Sequence, residues 1–62
     1  MENRLKEFRK KKGLTQDALA EKSGVSRTII SFLENGRADC TMTSTLTKLA
    51  DALDEKVTTI FF

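Results

Sequence analysis

The chain has 62 residues, one cysteine, no histidine and a formal net charge of +2. That is the length of a single domain, residues 1–62, and a domain this small buries only about 60% of the surface its unfolded chain exposes. A lone cysteine excludes an internal disulfide, and without histidine it cannot build a zinc site. No metal or cofactor is therefore expected, and pairing into a homodimer is the expected extra source of stability.

The opening MENRLKEFRKKK is too charged for a signal peptide. No apolar run approaches the roughly 18 residues of a membrane span. A soluble, cytoplasmic protein is expected, with no membrane contact; the unpaired Cys40 fits a reducing compartment. Asn3 can cap a first helix over residues 4–12, with Leu5 and Phe8 on one side. Gly13 stops it, and Lys10, Lys11 and Lys12 suit the negative end of its dipole. The lysine run is thus first a solvated helix end and only second a phosphate contact.

Thr15 caps a second helix that runs to Lys22, with Asp17 in the first turn where negative charge is favourable. Leu19 and Ala20 face inward, and Gly24 ends the helix. Ser26 caps a third helix over residues 27–35, with Ile30 and Leu33 as its buried stripe and Asn35-Gly36 as its stop. A fourth helix covers residues 43–53, where Leu46, Leu49, Ala50 and Leu53 recur at amphipathic spacing. The tail KVTTIFF is rich in β-branched and aromatic residues and predicts a strand. One strand has no mate in a helical domain, so it would pair with the same strand of a second copy. A fifth short helix competes, with Val57, Ile60 and Phe61 at i, i+3 and i+4. In either form residues 57–62 are a dimerisation tail, and Val57, Thr59, Ile60, Phe61 and Phe62 are its expected contacts.

The charge is uneven. Residues 1–37 hold nine Lys/Arg against five Asp/Glu, and residues 38–62 hold two against four. The basic half suits a polyanion, and it also carries the two closely spaced helices. Those helices, joined by SGVS, have the spacing of a helix-turn-helix. Ala20 is small enough for close packing, Gly24 takes the turn and Val25 anchors it. The second helix of such a motif buries one face and leaves its N-terminal residues free for a DNA major groove. Here the free positions are Arg27, Thr28, Ile29, Ser31 and Phe32.

The stretch RLKEFRKKKGLTQDALAEKSGVSRTIISFLENGR, followed by TLTKLADAL, resembles the lambda-repressor/Cro-like family, the XRE-family regulators. The resemblance covers residues 3–53. It implies an all-α, four- to five-helix bundle that binds double-stranded DNA. By this resemblance Arg27, Thr28, Ser31 and Phe32 match base-contacting positions. Gln16, Ser26, Asn35 and Arg37 match backbone-contacting positions. Arg9 and Glu34 match a structural ion pair. The tail EKVTTIFF is similar to that of HipB- and HigA-type antitoxins, whose C-terminus is a dimerising strand.

Each position has a plainer use. Ser26 is first an N-cap, Asn35 first a helix end, and Arg27 is able to stand as a solvated arginine. Ile29 and Phe32 have packing as their alternative. Where the family commonly has glycine after the fourth helix, this chain has Asp54, which favours the strand reading of the tail. Cys40 lies in the polar segment RADCTMTST, beside Asp39, a poor setting for a reactive thiolate.

The expected function is a sequence-specific, homodimeric transcriptional repressor that reads a palindromic operator. The alternative is an antitoxin-type protein that binds and neutralises a toxin partner. An enzyme is not expected: there is no nucleophile–base pair and no phosphate-cradling glycine loop.

Overall fold

The structure, a computed structural model, describes residues 3–36 and 42–62. Arg37 and Cys40 lie outside them. Among the described residues five helices follow one another: α1 (Leu5–Lys11), α2 (Gln16–Ser23), α3 (Arg27–Glu34), α4 (Thr43–Ala52) and α5 (Val57–Phe61). No strand occurs among the described residues, and none of the helices is long and apolar enough to cross a membrane.

Local chemistry sets most of the boundaries. The Asn3 side chain opens α1 by accepting from Leu5 N at 3.0 Å, and its Nδ2 donates to Leu33 O at 2.8 Å. Thr15 Oγ1 accepts from Ala18 N at 3.0 Å, and Ser26 Oγ accepts from Ile29 N at 3.2 Å. These two N-caps satisfy backbone donors that a helix start leaves open. Helix α1 closes in a Schellman motif: Gly13 N donates to Lys10 O and Leu14 N to Arg9 O, with Gly13 at φ +71°.

Helix α2 packs on α3 and α4, α4 on α5, and α1 on α3 and α5. The core lies where these meet. Leu5, Leu19, Ile30, Leu33, Leu49, Leu53 and Ile60 are fully buried there. Every helix contributes at least one of them, so no helix could leave without opening the core.

The all-α architecture agrees with the sequence, but the tail corrects it. Residues 57–61 form α5 and not the favoured strand. Burial overrides the β-propensity of the segment: Ile60 and Phe61 enter the core and Val57 packs against it. The Ile60 carbonyl also accepts from Arg4 N at 2.8 Å, which ties the tail to the start of α1. Asp54 permits this turn. It adopts φ +56° in the left-handed region, donates its N–H to Asp51 O, and is followed by Glu55 N donating to Ala50 O. That is the same Schellman closure that Gly13 makes, with aspartate tolerated where glycine is usual. The antitoxin likeness of the tail rested on a strand that this chain does not form.

Candidate nucleic-acid interface

The turn between α2 and α3 is built from three residues. Gly24 takes φ +78°, a left-handed conformation that closes α2 through its N–H to Ala20 O at 2.9 Å. Ser23 Oγ accepts from Val25 N at 3.1 Å, and the Val25 side chain is buried. Ser26 then caps α3. The half-buried Ala20 packs against the core with no long side chain to hold the two helices apart.

Helix α3 is two-faced. Ile30 and Leu33 are buried, whereas Arg27 and Thr28 are exposed and Ser31 is half-buried. Phe32 keeps 48% of its surface exposed and Ile29 keeps 38%. Ile29 and Phe32 stand three positions apart, so their exposed surfaces adjoin on the outward side of the helix. Arg27, Thr28, Ser31 and Phe32 line one shallow, open depression, and Gln16 from the start of α2 completes it.

Behind this depression lies a chain of polar contacts. Arg9 donates to both oxygens of Glu34, from Nε at 2.7 Å and from Nη2 at 3.1 Å, and its Nη1 donates to Leu14 O at 2.7 Å. Both side chains of the pair are almost wholly buried. Gln16 Nε2 donates to Glu34 Oε1 at 3.2 Å, and Arg27 Nε donates to Gln16 Oε1 at 3.5 Å. Arg27 Nε also lies 3.5 Å from Asp17 Oδ1. An ordered path thus runs from α1, through the end of α3 and the start of α2, to the first residue of α3.

The remaining site candidates fall elsewhere. Ser26 and Asn35 stand at opposite ends of α3, outside the depression; Asn35 Nδ2 donates to Ser31 O at 2.9 Å. Arg37 is outside the described residues. In the tail, Ile60 and Phe61 are in the protomer's own core, and Val57 and Thr59 are half-buried. Phe62 is 85% exposed. It borders a second shallow depression with Asn3, Arg4 and Thr59. Sequence reasoning passed over Asp17 as part of the site. Its place in a helix first turn explained it fully, and its neighbour Arg27 is ten positions away.

Comparison with known proteins agrees with this geometry. The helix-turn-helix family matches residues 5–60. An uncharacterized HTH-type transcriptional regulator of Archaeoglobus fulgidus is 39% identical over 61 residues, 98% of this chain and 84% of that protein. Another from the same organism is 54% identical over 37 residues, 60% of this chain; the aligned stretch spans about half of that relative, 53%. The crystal structure of the restriction-modification controller protein C.AhdI from Aeromonas hydrophila superposes with a TM-score of 0.80 at 38% identity. That match covers 89% of this chain and 82% of the controller. With its turn, its two-faced third helix and these relatives, the chain belongs to the helix-turn-helix family.

Proposed function

We propose that this protein is a sequence-specific, double-stranded-DNA-binding transcriptional regulator that acts as a homodimeric repressor on a palindromic operator. The observation that carries this reading is the outward face of α3. Arg27, Thr28, Ser31 and Phe32 share one open depression with Gln16, while the opposite face of the same helix is buried. A helix presented in this way fits a major groove about 12 Å wide. The relatives named as transcriptional regulators and as a controller protein support it.

In this reading Arg27 binds guanine O6 and N7, Thr28 and Ser31 hydrogen-bond base edges, and Phe32 meets a thymine methyl group. Gln16, Ser26, Asn35 and Arg37 contact phosphates and fix the register. The longest principal-axis extent of the protomer's Cα trace is 25 Å. Two half-sites one turn apart are separated by about 34 Å, so a palindrome calls for two copies of the chain. Phe62, beside Arg4 and Thr59, is the most exposed large apolar side chain among the described residues and the group we assign to joining them. Repression follows from occupancy of the promoter.

Arg27→Ala tests the assignment. Discrimination against the wrong base pair at one position should fall by about 1–3 kcal/mol, with the thermal melt unchanged. Full discrimination in the variant would remove Arg27 from the reading face.

A further inference from the structure

Arg27 is held along one edge only. Its hydrogen bond to Gln16 Oε1 and its ion pair with Asp17 Oδ1 both use Nε, each at 3.5 Å. No hydrogen bond among the described residues engages its two terminal amino groups. Both acceptors come from the first turn of α2. Gln16 is itself fixed, because its amide nitrogen is committed to Glu34. Asp17 is different: it is 75% exposed, and a helix N-terminus would accept its charge wherever in the first turn it stood. A carboxylate beside a DNA-facing arginine also repels phosphate, so its position lowers affinity for every duplex alike.

We infer that Asp17 is a specificity-determining positioning residue that acts through Arg27. Its charge attracts the Nε edge of the guanidinium toward α2, at 3.5 Å and without a hydrogen bond of its own, and leaves the two amino groups for the edge that can bind guanine O6 and N7 together. Its negative charge keeps backbone phosphates from claiming the same guanidinium. Arg27 thereby loses as a general phosphate anchor and gains as a base reader. This role rests on the proposed reading of DNA by α3.

The test uses the full chain and a duplex enriched from a random pool by the unaltered protein. Binding is compared for that duplex, for duplexes with single base-pair substitutions, and for a random duplex. Asp17→Asn should reduce discrimination at one base-pair position by about two- to fivefold, the range an exposed ion pair supports. Affinity for the random duplex should hold or rise. In an Arg27→Ala background the same substitution should leave discrimination unchanged at every position. Asp17→Ser, a second neutral residue suited to a helix first turn, should behave as Asp17→Asn does.

Unchanged discrimination in both neutral variants would overturn the inference while leaving the function intact. So would an equal loss of affinity for all duplexes, which is the mark of a damaged helix. If the unaltered protein enriches no duplex, the proposed function itself fails, and the role of Asp17 fails with it.

Discussion

Glu34, the last residue of α3, accepts two hydrogen bonds from Arg9 of α1, with Nε at 2.7 Å and Nη2 at 3.1 Å. The helix that faces outward is thereby clamped to the helix behind it, 25 positions earlier in the chain. The Glu34 side chain is 3% exposed and that of Arg9 is 10% exposed. Removing one member strands the other charge in a dry site, at a cost of about 3–5 kcal/mol. A core of this size rarely supplies more than about 3–5 kcal/mol. Glu34→Ala should therefore leave the domain largely unfolded in a urea titration. A loss below about 1 kcal/mol, no more than an exposed pair would give, would show that solvent already screens the pair.

Asp54 holds a left-handed conformation at φ +56°. Its backbone bonds to α4 are made by groups that any residue carries. Glycine at this position removes the Cβ conflict and keeps the turn. Asp54→Gly should stabilise the domain by about 0.5–1 kcal/mol and raise the melting temperature by roughly 2–8 °C. A lower melting temperature would mean that the aspartate side chain itself supports the turn into α5.

The tail calls for a point change in place of a deletion. Loss of residues 57–62 would remove Ile60 and Phe61 from the core and unfold the protomer. Phe62→Ser touches only an exposed ring, so the fold should persist. If Phe62 anchors the proposed dimer, the variant should sediment as a monomer at concentrations where the unaltered chain pairs. A dimer of undiminished strength would place the interface elsewhere.

Glu7 on the exposed face of α1 takes two hydrogen bonds from Arg4, at 2.7 and 3.4 Å, and lies 3.4 Å from Lys11 Nζ. The Arg4 hydrogen bond holds its carboxyl below the ordinary glutamate value of 4.5. A lowered folded-state pKa contributes stability that is complete above the unfolded-state value and lost as pH falls through the folded one. Glu7→Gln should therefore flatten the loss of stability from about pH 4.5 downward and leave its slope near neutrality unchanged. The effect should be small, since solvent screens so exposed a pair. Melts at a series of acidic pH values check it.

Much of this fold could be read residue by residue. Thr15 and Ser26 announce helix starts because their side chains do there what the backbone cannot. Gly13 and Gly24 announce ends because both sit at positive φ. Leu46, Leu49, Ala50 and Leu53 mark the inner face of α4 by spacing alone. The tail misled because V-T-T-I carries a β-propensity that is weak beside the burial of Ile60 and Phe61. Asp54 misled because a left-handed turn is usually written with glycine. The Arg9–Glu34 clamp joins residues that no local period connects; the family resemblance alone named them. The Asp17–Arg27 contact was invisible for the same reason, since helix spacing says nothing about a neighbour across a turn.

In the proposed function, α3 reads DNA as one of a pair. Selection of bound duplexes from a random pool at about 150 mM salt tests it most directly, since screening at that strength suppresses charge-driven binding. Enrichment of an inverted repeat whose half-sites are centred about one helical turn apart is the expected result. A folded protein that enriches no sequence, or only an unrepeated one, would contradict it.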